Sequence, residues 1–553
     1  MHEPAKIIYS AVERAATGSP RRIAKLAVAA LVCSVCEVLI LVGGQAQTPP
    51  LTGVVHTAEG DVQGILTSGV NEFLGIPYAA PPVGELRWRP PADVTHWKEA
   101  RAATRFGGTC AQPERGIFTV PSTNEDCLYL NVYTADPLPA AGANRPVMVW
   151  FYGGGMYSGE SNDYDGSKLV RRGGVVVVTL NYRVGAFGFF SHPAINGEGH
   201  LAINYGIMDQ QAALRWVRRN IVAFGGDPNN VTIFGQSGGG TSVTSNLQSP
   251  LSAGLFHRAI VESGVRIEYV SLEARTKAAI DFAAEAGCTD QSARCLRALT
   301  PQQILAHDAG ILRLVTVFPS PDGAVITHPA AEAFSQGFFN HVPIMAGLVS
   351  EEQAYFLPET NSHVPLTAKD VEAYVASFGP QFTQRLEAKY PVASFASPSV
   401  REIAMAQAQK SCTERFMEQS WSKFVPVYAY EFRERTAPSY FQPVSYPMNA
   451  FHTSELQYLF PLFHGGQGTA HPLNAAQEHL SDILVDYWST FARTGAPDAP
   501  GQSDLPAWPR YSADKDNIQA IDLPGQTQVG GYGKMYDCDF WDPIVASQIW
   551  SPK

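Results

Sequence analysis

The sequence predicts an α/β protein with a large, mostly parallel central sheet. Two apolar, β-branched runs, at 147–152 and 175–181, are typical of strands that are buried on both faces. Segments with helical periodicity alternate with such runs, as at 206–224 and 478–493. No repeat, charge run or low-complexity linker divides residues 50–553. We therefore expect one large domain rather than several small ones.

The remaining strands follow at intervals that leave room for helices. In chain order, the predicted strands are 147–152, 175–181, 231–235, 259–261, 342–346 and 427–432. The long intervals between the later strands indicate helical insertions. We expect these insertions to form a gorge over an active site at one edge of the sheet.

The composition excludes several classes of protein. Hydrophobic residues make up 45% of the 553 residues and charged residues 16%, which supports a sizeable core and excludes a disordered or coiled-coil chain. The 51 acidic residues outnumber the 40 Lys and Arg, so the net charge is −11. Such a chain lacks the basic surface that neutralises phosphates, and we expect neither a nucleic-acid partner nor an anionic membrane partner.

The first 46 residues have the pattern of a secretory signal. Basic residues precede a largely apolar run at 26–42, and the small residues Gly44 and Ala46 follow it. We expect cleavage near Ala46, which would leave residues 47–553 as a single domain, secreted or periplasmic, with no stable membrane partner. The alternative is an N-terminal membrane anchor, although a run of about 17 residues containing Glu37 is short for a membrane span.

The cysteines that remain after cleavage indicate disulfides. Six are left, and an even number in an exported chain is typical of paired cysteines. Fifteen pairings are open on sequence alone. Proximity along the chain favours Cys110–Cys127 and Cys288–Cys295, which leaves Cys412–Cys538. No CxxC pair or Cys/His cluster remains, so we expect no metal site.

The segment 231–239 contains the pattern G-x-S-x-G directly after a predicted strand and before a predicted helix. In that context the pattern predicts a sharp turn that projects a nucleophilic serine, Ser237, above the sheet. Gly235 and Gly239 leave room for the turn, and the following helix N-terminus favours negative charge. The alternative is an ordinary exposed serine in a glycine-rich loop.

A second glycine-rich segment is placed to stabilise a negatively charged oxygen. Three glycines, 153–155, end the predicted strand 147–152. The N–H groups of Gly154, Gly155 and Gly238, the residue after the serine, are candidates for an oxyanion hole. The alternative is a plain flexible loop.

Three longer segments resemble signatures of the type-B carboxylesterase family, which includes cholinesterases and neuroligins. They lie at 73–88, 125–131 and 224–239, in the family's order, and the similarity covers nearly the whole of residues 47–553. The resemblance implies an α/β-hydrolase fold with helices on both faces of the sheet and a gorge built by helical insertions. It also implies a serine esterase that needs no cofactor and acts on a small-molecule ester.

The resemblance further implies a catalytic triad of Ser237, Glu352 and His452. The segment 342–356 resembles the one that carries the acid, and its alignment favours Glu352 over the adjacent Glu351. Of the five histidines after Glu352, only His452 lies in a matching segment.

Other residues would have supporting roles by the same resemblance. Arg87 with Glu125 and Arg183 with Asp209 would be buried ion pairs, and the three disulfides above match the family's loops. Ser263 and Glu455 would lie close to the triad.

The chain departs from the family at positions that affect the substrate. Gln236 stands where many relatives have Glu, and the loop 110–127 lacks the Trp with which cholinesterases bind a quaternary ammonium. Gly238 replaces a frequent Ala, Met156 replaces a common aromatic residue, and the expected acyl-pocket segment 314–317 is aliphatic. We therefore expect a carboxylesterase for neutral esters. The alternatives are a lipase for longer chains and a non-catalytic binding protein like the neuroligins.

Overall fold

The computed structural model of the protein describes residues 49–114, 119–140, 142–264, 270–307, 318–498, 505–523 and 525–549. The expected signal, residues 1–46, and the expected acyl-pocket segment 314–317 lie outside the described residues. From Leu51 onward the chain forms one compact unit. In the part of the chain that the structure describes, no helix is both long and apolar enough to span a bilayer.

The strands of the described residues join one thirteen-stranded sheet. Their bounds are Leu51–His56 (β1), Asp61–Thr67 (β2), Val70–Pro77 (β3), Arg101–Ala102 (β4), Tyr129–Ala135 (β5), Arg145–Phe151 (β6), Val176–Leu180 (β7), Gly226–Gln236 (β8), Arg258–Glu262 (β9), Ile344–Val349 (β10), Val427–Phe432 (β11), Ile518–Ile521 (β12) and Thr527–Val529 (β13).

The order of strands across the sheet is β1-β2-β3-β5-β7-β6-β8-β9-β10-β11-β12-β13, with β4 beside β2. All neighbouring pairs from β7 to β12 are parallel, and the pairs outside this centre, apart from β2 with β4, are antiparallel. The chain leaves β6 for β7 on one side and returns to β8 on the other. Sheets of this kind bind ligands at the carboxyl ends of the strands where the order reverses, here β6 and β8.

Helices and short 3₁₀ turns fill the connections. The α-helices are Ser167–Gly173 (α1), Gly185–Phe189 (α2), Pro193–Asn196 (α3), Tyr205–Asn220 (α4), Gly238–Gln248 (α5), Leu272–Glu285 (α6), Ala293–Ala298 (α7), Pro301–His307 (α8), Ala330–Gln336 (α9), Pro358–Ser362 (α10), Ala368–Ala376 (α11), Pro380–Lys389 (α12), Pro398–Ser422 (α13), Leu456–Leu459 (α14), Ala475–Thr494 (α15), Tyr532–Met535 (α16) and Cys538–Ile549 (α17). The 3₁₀ turns are Gly84–Leu86, Ser161–Asp163, Ile221–Phe224, Pro250–Ser252, Glu352–Tyr355 and Val392–Ser394.

The central strands are apolar because both of their faces are covered. Every residue of β7, β10 and β11 is buried. On β11, the ring of Tyr430 packs against Trp488 of α15, whereas the carboxylate of its neighbour Glu431 accepts a hydrogen bond from Tyr532 of α16. Successive side chains of a strand point to opposite faces, so helices cover both faces of the sheet. The predicted α/β-hydrolase fold class is confirmed.

Among the predicted elements, two differ most from the structure in where they begin or end. The predicted strand 231–235 is the second half of β8, which begins at Gly226, where its residues are partly exposed and carry no apolar signal. The predicted helix 206–224 ends as an α-helix at Asn220 and continues as the 3₁₀ turn Ile221–Phe224, which stops at Gly225 with φ +81°.

Covalent and ionic contacts join distant segments. The structure pairs Cys110 with Cys127, Cys288 with Cys295, and Cys412 on α13 with Cys538 on α17, the pairs that the resemblance implied. The two predicted buried ion pairs are confirmed. Arg87 Nε donates to Glu125 over 2.6 Å, and Arg183 donates to both carboxylate oxygens of Asp209 over 2.8 and 2.7 Å.

Candidate active site

The residues singled out from the sequence follow the carboxyl ends of parallel strands. Gly154 and Gly155 come after β6, Ser237 directly after β8, and Ser263 directly after β9. Glu352 begins the 3₁₀ turn that follows β10. Because the carboxyl ends of parallel strands meet at one edge of the sheet, the topology gathers these residues there.

The turn at Ser237 is tight and strained. Ser237 has φ +58° and ψ −123°, a conformation that residues with a side chain rarely adopt. A Cβ atom on Gly239 would lie 1.9 Å from the carbonyl oxygen of Phe151, and one on Gly235 would lie 2.6 Å from the same oxygen. Both positions therefore require glycine. The N–H of Ser237 donates to the carbonyl of Glu262 over 2.8 Å, which ties the turn to β9.

The glycines after β6 face the start of α5. Gly154 has φ +100° and Gly155 φ +64°. A Cβ atom on Gly238 would lie 2.7 Å from the nitrogen of Gly155 and 2.6 Å from that of Met156. The structure thus brings Gly238, the residue after the serine, against the glycine loop. Among the described residues, neither Gly154 nor Gly155 donates its N–H to an acceptor, so both donors are available to a ligand.

His452 is bound to Glu352 and lies beside the serine turn. Nδ1 of His452 and Oε2 of Glu352 form a short hydrogen bond, and both side chains are buried. The amide nitrogen of Gln236, the residue before Ser237, lies 3.4 Å from each ring nitrogen of His452. The rings of Tyr355 and Phe356 pack against the imidazole, with centroids 5.3 and 4.7 Å away.

Backbone contacts decide which of the two adjacent acids meets the histidine. A single β-bridge pairs Glu351 with Phe451, so the next residues along, Glu352 and His452, lie side by side. The carboxylate of Glu351 instead binds Arg435, 2.7 Å away. The backbone N–H of Val349 donates to Oε1 of Glu352 over 3.1 Å and fixes the carboxylate.

The surroundings of Glu352 keep it ionised. Burial raises the pKa of its carboxyl, but the combined effect of His452, the ammonium of Lys410 and the hydroxyl of Ser263 is larger, so the pKa lies below its usual value. The carboxylate is therefore charged at neutral pH and is in the state that accepts a hydrogen bond from Nδ1 of His452.

Three other acids near the site have pKa values above the usual value, in contrast to Glu352. Burial raises the pKa of Glu262 and of Glu414 to about 8 in each case, and burial together with Glu262 and Glu352 raises that of Glu455 well above its usual value. In the described structure, neither carboxyl oxygen of Glu414 has a hydrogen-bond partner. These carboxyls carry protons at neutral pH, so Glu352 is a charged acid among neutral ones.

Stability should respond to pH through Glu262, whose Oε1 accepts a hydrogen bond from Trp488 over 2.8 Å. Its folded pKa, about 8, lies above the ordinary value of 4.5, so stability is lost as pH rises between these values. Glu262→Gln keeps the hydrogen-bond acceptor and cannot ionise. We therefore expect the Tm of this variant to decrease less between pH 6 and pH 9 than the Tm of the wild type. Glu372→Gln, on an exposed position of α11, is the control. Equal losses of Tm in all three proteins would contradict this prediction.

The structure bears out some expected supporting residues and adds others. Ser263 and Glu455 lie near the triad residues as expected. Sequence reasoning missed Gln407, whose side chain accepts a hydrogen bond from the N–H of Glu352 over 2.9 Å, and it also missed Lys410 and Glu414 near the same acid. All three lie on α13. The one feature of the sequence that could have indicated them is the presence of polar residues on a helix whose other residues are largely buried.

Comparisons with known proteins show the family to which the chain belongs. The model of the carboxylesterase family matches residues 52–541. Cocaine esterase from Homo sapiens is 33% identical, with 94% of this chain and 96% of that protein covered, and para-nitrobenzyl esterase from Bacillus subtilis is 33% identical, with 85% and 94% covered. A solved structure of PNB esterase has a TM-score of 0.74 at 29% identity and covers 88% of this chain and 99% of that one. The chain belongs to the carboxylesterase family and is a carboxylic ester hydrolase.

Proposed function

We propose that the protein is an exported serine carboxylesterase that hydrolyses neutral carboxylic esters through Ser237, His452 and Glu352. The hydrogen bond between His452 and Glu352 carries the proposal, because it lies beside the strained turn at Ser237. A serine turn, a base and an orienting acid at one edge of the sheet are the parts that acyl transfer requires.

The proposed reaction begins with the hydroxyl of Ser237. Neutral His452 takes the hydroxyl proton through Nε2 as the oxygen attacks the ester carbonyl carbon. Glu352 accepts the hydrogen bond from Nδ1–H and stabilises the imidazolium that forms. Because Glu352 stays ionised at neutral pH, it is in the state that this role needs.

The oxygen of the tetrahedral intermediate needs donors that are already in place. We assign this role to the N–H groups of Gly154, Gly155 and Gly238, because the glycine loop meets the start of α5 where Gly155 approaches Gly238. Protonated His452 then gives its proton to the leaving alcohol. Water attacks the acyl-enzyme with the same base, and Ser237 is restored.

The preference for neutral esters rests on the residue before the nucleophile. Gln236 is buried and uncharged, and its amide faces His452. A carboxylate here would attract a cationic alcohol group, and an amide does not. The neutral carboxyls of Glu262 and Glu455 add no negative charge near it.

Export is supported by the three disulfides, since paired cysteines persist in oxidising compartments. In this proposal residues 1–46 are the signal and residues 47–553 the enzyme.

One labelling experiment tests the proposed function. We expect the purified protein to hydrolyse short-chain nitrophenyl esters, and an organophosphate to stop this hydrolysis by forming one adduct on Ser237, located by peptide mass spectrometry. An adduct on another residue, or hydrolysis that survives the organophosphate, would overturn the assignment. A series of acyl chain lengths in the same assay separates an esterase from a lipase, which would favour the long chains.

A further inference from the structure

Lys410 packs against the 3₁₀ turn that carries Glu352. It belongs to α13, the helix whose Gln407 accepts a hydrogen bond from the N–H of Glu352. The half-buried Lys410 donates from Nζ to Oε1 of Gln353 over 3.3 Å. Its ammonium therefore rests on the 3₁₀ turn Glu352–Tyr355.

The ring of Phe356 lies between the ammonium of Lys410 and the imidazole of His452 and contacts both. Nζ of Lys410 lies 4.5 Å from the centre of the Phe356 ring, and that ring lies 4.7 Å from the imidazole of His452. Phe356 is 48% exposed, so burial alone does not fix its ring. A cation over the ring face attracts the ring and stabilises it in this position.

The charged groups around Lys410 are mainly acidic. The carboxylates of Glu352 and Glu402 attract its ammonium electrostatically, and Glu402 accepts a hydrogen bond from Gln353 over 3.0 Å. The carboxylate of Asp370 on α11 raises the pKa of Glu402, and the ammonium of Lys410 lowers it. Burial lowers the pKa of Lys410 and the two glutamates oppose this effect, while Lys410 in turn lowers the pKa of Glu352.

We propose that Lys410 is a positioning residue for the ester hydrolysis, which holds Phe356 against His452 and places a positive charge beside Glu352. This proposal rests on the proposed function, because it assigns Lys410 to the same triad. Lys410 does not touch the substrate, and it acts through the acid and the base. Its removal should therefore change the pH dependence of the reaction and leave the binding of a neutral ester nearly unaltered.

The test is the pH profile of kcat/KM with a neutral nitrophenyl ester in Lys410→Met. Hydrolysis needs neutral His452, and loss of a nearby cation makes the imidazolium and the Glu352 carboxyl harder to deprotonate. We expect the acid limb to move to higher pH by about 0.5 unit, a fraction of the roughly 1–3 units that an opposite charge within about 4–6 Å causes. We also expect kcat to fall and KM to stay near its wild-type value.

Matched variants separate this effect from a general loss of charge or fold. Lys423→Met removes an exposed lysine that follows the same helix and should leave the limb in place, whereas Lys410→Arg should restore it. Lys410→Gln replaces Lys410→Met if the latter has a reduced Tm. An unmoved acid limb in a folded Lys410 variant, with the wild type active and labelled on Ser237, would overturn the role of Lys410 alone. A wild type without hydrolysis would instead overturn the proposed function.

Discussion

We expect Ser237→Ala to lower kcat by about 10⁵–10⁶-fold, because the variant has no hydroxyl to form the acyl-enzyme and the remaining groups act only on water. The turn should persist, since Gly235 and Gly239 make room for it and the N–H of residue 237 still donates to Glu262. Hydrolysis of a short nitrophenyl ester, together with Tm, measures both expectations.

The matched control for this loss is a serine of the surface. Ser377 follows α11, is exposed and donates to the carbonyl of Tyr374. Ser377→Ala should hydrolyse the ester at the wild-type rate. Activity within tenfold of wild type in Ser237→Ala, after exclusion of contaminating esterases, would show that another nucleophile acts.

The second large effect is expected for Glu352→Gln, with kcat lower by about 10⁴-fold. The amide has no charge with which to stabilise the imidazolium, and its NH₂ group favours the histidine tautomer that has the proton on the wrong nitrogen. The size and shape of the side chain are nearly unchanged, so the loss should come from chemistry rather than from packing. Steady-state kinetics with the neutral ester and Tm measurements check this expectation.

Glu351→Gln is the control that the chain itself provides. The Glu351 carboxylate binds Arg435, which is 65% exposed, and such surface pairs contribute about 0–1 kcal/mol. We expect this variant to retain nearly full activity and stability. A large loss in Glu351→Gln with little loss in Glu352→Gln would reverse the assignment of the acid.

The strands and turns at the edge of the sheet that holds the candidate site could largely be predicted from local sequence. A buried parallel strand needs a continuous apolar run, and a sharp turn after it needs glycines, so 147–152 and 231–239 are visible without any partner. Ends of elements are less predictable. Strand β8 begins five residues earlier than its apolar run because Gly226 pairs with Arg145 of β6, and the partly exposed residues between Gly226 and Val231 form an irregularity in the register.

The choice between Glu351 and Glu352 illustrates what local sequence leaves open. Both are acidic and adjacent, and only the β-bridge between Glu351 and Phe451, made by segments far apart in the chain, brings Glu352 to the histidine. Protonated and charged glutamates also look alike in a sequence. Glu262 and Glu352 differ because of His452 and Lys410, which approach from other elements.

The placement of the site residues also determines when activity first appears during folding. Gly154, Ser237 and Glu352 follow β6, β8 and β10, and His452 follows the residue that bridges to Glu351, so no single segment of the chain carries all four residues. Contacts between such distant segments form late, because closing long loops costs entropy before any contact stabilises them. In the proposed mechanism, a chain cut or arrested before residue 452 would hold the nucleophile without its base. Esterase activity would then require the part of the sheet from β6 to β10 to be complete, rather than any one strand.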